Sequence, residues 1–361
     1  MTQTFDLAVV GAGIVGLGHA VAAHRRGLRV VVVERASAIS GATVRNFGHA
    51  GFSAHSGEAG EYAQVARAEW LRLSVEAGFW LRQAGTLVIA RHEDERAVLD
   101  ESGLGEPLTA DAVARLAPIS GAIGGALLHG DIQVDPREAG PAIARWLARE
   151  GVEFRWRTAA LGAESGLLHT SRGEIRARAV VVAVNADVDQ LFPQIAEAHG
   201  VIRNGLDMML ADGVGLGIPL LTGSSMLRYS AFASAPSLRD VRRRFEAEHP
   251  DLLAREVNQM YTERPDGTLI VGDTHYSGTT IMPFQDEAAF GLLTRLTENL
   301  FARPLRIRQR WQGVYATGPG DFLRAAPADG VRVVSVTSGI GMTTGLGLAA
   351  SVIDELFGPQ P

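Results

Sequence analysis

Three glycines and one acid carry the first recognisable chemistry of the chain. Gly11, Gly13 and Gly16 stand in G-x-G-x-x-G, directly after the apolar run Leu7–Val10 and at the head of the helical stretch Leu17–Arg26. In that setting the motif is a phosphate cradle. The first glycine permits a tight turn, the second has no Cβ to hold a pyrophosphate off the backbone, and the third lets helix and strand lie close together. The free N–H groups and positive dipole end of the helix then face the phosphates. Glu34 ends a second apolar run, Val30–Val33, at the spacing where a carboxylate accepts hydrogen bonds from an adenosine ribose. A related pattern closes the chain: the buried-type strand Val331–Val336, the glycine turn Ser338–Thr344 and the helix Gly345–Phe357. This presents a second helix N terminus, whose free N–H groups suit a partial negative charge on a ligand.

Composition narrows the chemistry further. At 361 residues the chain exceeds one ordinary core and suits two domains sharing a ligand. A net charge of −6 argues against nucleic acid as a partner. No basic flank precedes the first apolar run, which is too short for a signal peptide or a membrane span, so a cytoplasmic protein with no membrane partner is expected. Cysteine is absent and every basic residue other than histidine is arginine. Disulfides, thiolate metal sites, thiol redox chemistry, Schiff-base lysines and the P-loop lysine are thereby excluded, and no metal site is expected.

The elements that must position these residues read as a nucleotide domain with an insertion. Ser37–Gly57 is a loop of small residues able to run along a flat ligand, and Glu61–Phe79 is an amphipathic helix with Trp70 in its core face. Gly85–Ala90 reads as a strand, Thr109–Leu116 as a helix capped by its threonine, and Ile119–His129 as a strand broken by glycines. Asp135-Pro136 opens the helix Arg137–Glu150. Val152–Arg157, Ile175–Arg178 and Ala179–Val184 then resume the sheet; the last is apolar throughout, as a doubly covered parallel strand requires. Asn185-Ala186-Asp187 follows at its carboxyl end, where such sheets bind ligands. From Val201 the pattern changes to spaced strands, Val201–Leu210, Ser225–Ala231, Val257–Glu263, Leu269–Asp273 and Leu305–Gln312, with helices Ser237–Glu248 and Asp286–Phe301. The fold class expected is α/β, with a Rossmann-like dinucleotide domain from 1–84, 139–200 and 313–361. An inserted, mostly antiparallel α+β substrate domain comes from 85–138 and 201–312.

With these motifs in order and spacing over nearly its whole length, the sequence resembles the large family of FAD-dependent amine and amino-acid oxidoreductases, the glycine oxidase, sarcosine oxidase and D-amino-acid oxidase group. The likeness rests on GAGIVG with Glu34, the loop GATVRNFG, the strand ending VVAVNA and the closing SGIGMTTGLGLA. Arg45-Asn46-Phe47-Gly48, Asp135-Pro136-Arg137, Gly272-Asp273-Thr274-His275 and Arg310–Tyr315 are similar to a subgroup found alongside aminophosphonate breakdown. That subgroup is thought to oxidise amines like 2-aminoethylphosphonate. One departure stands out: where the subgroup has apolar residues after R-N-F-G, the chain reads His49-Ala50-Gly51-Phe52-Ser53-Ala54-His55.

The resemblance implies FAD, bound non-covalently, and hydride transfer from the carbon next to a neutral amine to flavin N5, with water hydrolysing the imine. It implies cofactor contacts at Gly11, Gly13, Ile14, Val15, Gly16, Glu34 and Arg35 on the nucleotide side. Thr43, Arg45, Asn46, Phe47 and Gly48 follow in the loop, then Ala160, Ala183 and Asn185 on the sheet, and Gly339, Ile340, Gly341, Met342 and Thr343 in the closing turn. His275 and His49 are candidates for substrate contact or for a positive charge near the flavin, and His49 for any covalent link. Trp311 and Tyr315, at odd positions of one strand, are expected to share a face lining the substrate cavity. An anionic substrate group would need arginine, and Arg203, Arg228 and Arg310 lie on expected strands. The only other glycine cluster, Gly213–Gly217, lacks the G-x-G-x-x-G spacing, so electrons are expected to pass to dioxygen, giving H2O2, or to a carrier protein. An aromatic hydroxylase and a non-catalytic flavin-binding protein are the competing readings.

Overall fold

The computed structural model describes residues 4–359. β1 (Thr4–Val10), α1 (Ile14–His24) and β2 (Val30–Glu34) form the opening β-α-β unit. Glu153–Trp156, β2, β1, Gly173–Val182 and Val331–Ser338 lie side by side in that order, all parallel. Their valines alternate between two cores. Leu7, Val9, Val30, Val32 and Val181 face the side of α1, α2 (Gly57–Ala77) and the closing helix Gly341–Phe357. Ala8, Val10, Val31, Val33, Val180 and Val182 face the other. Burial on both faces is why these strands carry continuous apolar runs.

The second half of the sheet is mostly antiparallel, and one strand joins it to the first. Ile307–Ala328 runs for 22 residues. Its first part pairs with Ile202–Asp212, Trp311 opposite Met208 and Tyr315 opposite Asn204, and its last part pairs with Val331–Ser338. Thr268–Gly278, Met260–Glu263, Leu220–Leu221 and Thr86–Ala90 extend the sheet outward, to fifteen strands in all. The expected α/β class and the mixed sheet are present. The boundary expected at 312/313 falls inside this one strand.

Most elements lie where the sequence places them. Thr109 Oγ1 accepts from Ala112 N–H and Asp135 from Arg137 N–H, so both helices begin at their expected caps. Three expectations are corrected. Ser225–Ala231 is no strand: Thr222 and Ser225 form a reciprocal capping box that opens the short helix Gly223–Met226, followed by a turn of 3₁₀ helix at Ser230–Phe232. The closing helix begins at Gly341 and not Gly345, because the Thr343 and Thr344 N–H groups already bond to Ile340 O. Ile175–Arg178 and Ala179–Val184 are one strand, Gly173–Val182.

Backbone contact sets the packing of the three helices over the cavity. A Cβ on Gly16 would stand 1.9 Å from Gly11 O, and one on Gly347 would stand 2.1 Å from Tyr62 O. Trp70, fully buried, donates its indole N–H to Met342 O at 2.8 Å, fixing the start of the closing helix against α2. Gly347→Ala is therefore expected to destabilise the fold by on the order of 1–3 kcal/mol, since backbone must move to admit the methyl. Gly217→Ala, at an ordinary φ with open space around its Cβ, should change little. Urea denaturation midpoints of the two variants check this.

Candidate active site

A single cavity of about 1000 Å³ runs from the glycine turn of β1 to the far, antiparallel half of the sheet. Its volume is at the upper end of ligand sites. At the nucleotide end Gly11 takes φ +99°, and Thr43 Oγ1 accepts the Ile14 N–H at 2.8 Å. Glu34 accepts from Ala12 N–H at 3.0 Å and from Ala36 N–H at 2.9 Å. A carboxylate has about four acceptor positions, so two are left for hydroxyls in the cavity. Gly13 supplies the test of fit. It has ordinary φ, −69°, and a Cβ there would meet only Thr43 Oγ1, at 3.3 Å. Its backbone faces the cavity with little in the protein to forbid a side chain, the arrangement a pyrophosphate lying against it requires. Arg35, Ile14, Val15, Ala160, Ala183 and Asn185 also line this part. Arg35 is paired at the rim with Asp187 at 2.5 Å.

The loop after β2 is held from inside. Asn46 Nδ2 donates to Ala42 O and Thr43 O, and its Oδ1 accepts from Gly48 N–H at 2.7 Å. Gly48 has φ +69° and its backbone lies against Val134 O; it does not reach the cavity. Phe47 packs where a Cβ on Gly272 would be, tying the loop to the strand Thr268–Gly278. Arg45 Nη1 donates to Gln312 O at 3.2 Å, and Arg45 O accepts from Trp311 Nε1 at 3.3 Å. Trp311 therefore clamps this loop. It lies outside the cavity wall, with the Arg137 guanidinium 5.0 Å from its ring, whereas Tyr315 does line the cavity. Gly339 (φ +79°), Ile340, Gly341 and Met342 present the start of the closing helix to the cavity, with no acidic residue in its first turn. Gly16 and Thr343 sit behind the wall: Gly16 packs on Gly11, and Thr343 Oγ1 accepts from Gly51 N–H at 3.2 Å. Asn185, at φ +58°, accepts the Ala316 N–H at 2.6 Å and so staples the parallel half to the long strand.

At the far end Leu206, Met208, Arg228, Tyr229, Asn258, Asp273, His275 and Tyr315 meet. His275 donates its Nδ1–H to Glu256 O at 2.9 Å, and its Nε2 is 3.7 Å from Asp273 Oδ2. Burial, helped by the Arg228 charge, holds the His275 ring down at about 3, so it is neutral at physiological pH. Burial pushes the Asp273 carboxyl up to about 7, against the opposing pull of Arg228. Burial also raises the Tyr315 and Tyr229 phenols, and Tyr315 Oη accepts from Asn204 Nδ2 at 2.6 Å.

The histidine and arginine expectations are corrected here. His49 does not reach the cavity: it lies in a two-residue strand, His49–Ala50, and bonds Thr86 Oγ1 at 2.6 Å, with Asp131 at 3.7 Å. His55 lines the wall in its place, its ring lowered by burial. His275 is in the cavity but carries no charge there. Arg203 is committed to Asp189 and Asp187, and Arg310 pairs with Glu287 outside the cavity. Arg228 follows a short helix and does not lie on a strand; it lines the cavity while its Nη1 pairs with Glu256 at 3.2 Å. Sequence reasoning missed Asp273, Asn258, Tyr229 and His55 as site residues. Asp273 alone had a signal, its place beside His275 in a quoted motif.

This architecture, a parallel sheet and two helix N termini over one long cavity with a mixed sheet closing its other end, is that of a dinucleotide-dependent oxidoreductase. The sequence model of the FAD dependent oxidoreductase family (DAO) matches residues 6–355. The chain belongs to that family, and its cofactor is FAD. No curated protein matches the chain. Among solved structures it is similar to glycine oxidase from Geobacillus kaustophilus, with a TM-score of 0.79 at 19% identity over 100% of this chain and 96% of that one. It is also similar to L-proline dehydrogenase from P. horikoshii, 0.78 at 19% over 98% and 94%. L-amino acid deaminase from Proteus vulgaris, lacking its specific insertion, gives 0.75 at 19% over 100% and 92%. Among the described residues no helix is long and apolar enough to cross a membrane, and no cluster of three or more His, Asp or Glu could hold a metal ion.

Removing the Glu34 acceptor should weaken FAD binding roughly ten- to a hundredfold, the worth of hydrogen bonds to a charged group. Gly13→Val should do so at least as strongly, and His49→Gln should retain FAD. Titration of each apoprotein with FAD, followed by flavin fluorescence, measures all three.

Proposed function

We propose that the chain oxidises a small amine bearing an anionic group, an aminophosphonate or an amino acid, with FAD as hydride acceptor. Arg228 carries this reading. It is the arginine at the cavity end remote from the nucleotide turn, and a guanidinium matches a phosphonate or carboxylate in both charge and fork geometry. Around it Asp273, Asn258, Tyr229 and Tyr315 offer polar groups for an ammonium, and Leu206 and Met208 supply an apolar wall that excludes water. The glycine oxidase, proline dehydrogenase and amino acid deaminase folds named above are in keeping with amine chemistry.

FAD, when bound, supplies the electron sink and passes the electrons on, in this reading to dioxygen with formation of H2O2. The chain's own residues do the rest. Gly11, Gly13 and the N terminus of α1 hold the pyrophosphate, Glu34 the ribose, and the Gly339–Met342 turn the pyrimidine edge. Arg228 holds the substrate anion, and the apolar wall keeps water out until the oxidised product is hydrolysed to an aldehyde or keto acid. The cofactor is non-covalent on this reading, since cysteine is absent and His49 is engaged by Thr86. Segments 1–84, 139–200 and 313–361 serve the cofactor and 85–138 and 201–312 the substrate, in a cytoplasmic enzyme.

Oxygen uptake across an amine panel tests this. Short amines carrying a phosphonate or carboxylate should turn over faster than simple alkylamines. Arg228→Leu should lower kcat/KM for the anionic amines roughly ten- to a hundredfold, leaving alkylamines little changed. Equal rates for both classes in the parent enzyme would refute the anion site.

Reoxidation gives a second test. With His275 neutral and His55 lowered by burial, a positive charge that assists dioxygen at neutral pH comes from arginine. The reoxidation rate should then contain no histidine step between about pH 5 and 9. Stopped-flow mixing with dioxygen, compared with His275→Gln, checks this; a fall in rate above pH 6 that vanishes in the variant would restore the histidine.

A further inference from the structure

One buried carboxyl in the cavity has no partner that explains it. Asp273 is 3% exposed, lines the cavity, and its Oδ1 makes no hydrogen bond. Its main chain is pinned on both sides by Asn258, Asp273 N–H to Asn258 O and Asn258 N–H to Asp273 O, each at 2.9 Å. The pairing of its strand with Ile202–Asp212 slips between Val271 and Thr274, and such an irregularity re-aims side chains. Asp207 accepts from Thr274 and Gln285, and Asp135 from Arg137 N–H and Arg264; buried Asp131, off the cavity wall, accepts from Ser53 N–H and leaves its Oδ2 3.7 Å from His49. An unpartnered carboxyl oxygen is costly to bury, and the residue that carries it lines the space the substrate must enter.

We propose that Asp273 is the catalytic base that takes the ammonium proton of the substrate before hydride leaves the neighbouring carbon. This rests on the amine-oxidation reading above. An alkylamine reaches the site as an ammonium at neutral pH, with no lone pair to support loss of hydride. In the step inferred, an N–H bond of the ammonium breaks, its electron pair stays on nitrogen, and an O–H bond forms at Asp273. The nitrogen pair then forms the C=N bond as the hydride, with both electrons of the C–H bond, passes to FAD. Asp273 returns its proton to solvent when the product leaves.

The surroundings suit a base that works near neutrality. The charged and titratable groups around Asp273 are Arg228, itself paired with Glu256 at 3.2 Å, and Tyr229 from the segment after Gly223–Met226, Asp207 from Ile202–Asp212, Tyr315 from the long strand, and His275. Arg228 favours the ionised carboxylate, while burial and Asp207 oppose it, and the balance near 7 matches the operating pH of a general base. His275, its Nδ1–H given to Glu256 O, turns a bare Nε2 toward Asp273 and is too weak a base to compete for the proton.

Anaerobic stopped-flow reduction of the FAD-loaded enzyme by the best amine of the panel tests this. In the parent, the second-order rate of reduction should rise about tenfold per pH unit below about 7 and then level. Asp273→Asn should lose that limb, its rate climbing instead toward the amine's own pKa, and should be at least about 10²-fold slower at pH 7. Asp273→Glu should recover part of the rate. Asp273→Asn reducing within twofold of the parent, with the limb intact, overturns the assignment while leaving amine oxidation standing. A parent reduced by no amine overturns both. Should the variants fail to fold or bind FAD, calorimetry on the parent decides. Binding of the analogue of the best amine with two methyl groups and no hydrogen on the reacting carbon, in buffers of differing ionisation enthalpy, should release about one proton per site well below pH 7, where Asp273 already carries one, and none well above it, where the ammonium proton passes to the carboxylate; release that does not change across pH 7 overturns the base.

Discussion

The structure depends on backbone meeting backbone without side chains between. Gly16 lies on the Gly11 carbonyl and Gly347 on the Tyr62 carbonyl, each at a distance no Cβ would allow. A Cβ on Gly18 would lie 3.0 Å from the Ala349 side chain and 3.3 Å from Gly345 O, so α1 and the closing helix also pack closely there. The consequence is electrostatic. Two helices that start 327 residues apart, at Ile14 and Gly341, bring their N termini to one cavity, and neither has an acid in its first turn or a side-chain cap on its N-cap residue. Their unspent N–H groups and dipoles are left for a ligand with a phosphate at one place and an electron-accepting ring at another.

The long strand then converts this nucleotide fold into an enzyme. Because Ile307–Ala328 pairs with Ile202–Asp212 at one end and Val331–Ser338 at the other, the far wall of the cavity is rigidly registered to the closing turn. Tyr315 shows the coupling most directly: its ring lies beside Gly339, where a Cβ would be 3.1 Å away, and its phenol accepts from Asn204 on the neighbouring strand. Trp311, four residues earlier, instead holds the carbonyl of Arg45. One strand thus sets both the substrate wall and the loop after β2.

What the sequence revealed and what it hid divides along the same line. The cofactor half was legible because its signals are local: glycine spacing, apolar runs doubly buried in a parallel sheet, Asp135 and Thr109 at helix starts. The substrate half is assembled from Arg228, Asn258, Asp273 and Tyr315, which share no periodicity and meet only through sheet order. Residues 223–232, GSSMLRYSAF, carry no β-branched residue to favour a strand, and the stretch read as one is decided by the Thr222–Ser225 capping box, which only the structure shows. His49 and His55 were indistinguishable in sequence. The 3₁₀ turn Phe52–Ala54 between them sends one toward Thr86 and the other into the cavity.

The charge pattern of the far end follows from one arginine beside buried titratable groups. Lysine is absent from the chain, and each arginine on the cavity wall has a protein partner: Asp187 for Arg35, a main-chain carbonyl for Arg45 and Glu256 for Arg228. Arg228 is the cation that acts on both His275 and Asp273, and its effects on them have opposite signs. It reinforces burial in keeping His275 neutral, and it opposes burial at Asp273. A histidine that would ordinarily titrate near neutrality is silenced, and a carboxyl that would ordinarily stay ionised is brought there instead. The group in this pocket that can exchange a proton at physiological pH is thus the acid, and the charge that does not change with pH is the guanidinium. That division lets one pocket hold an anion by a fixed charge while it accepts a proton from the same substrate.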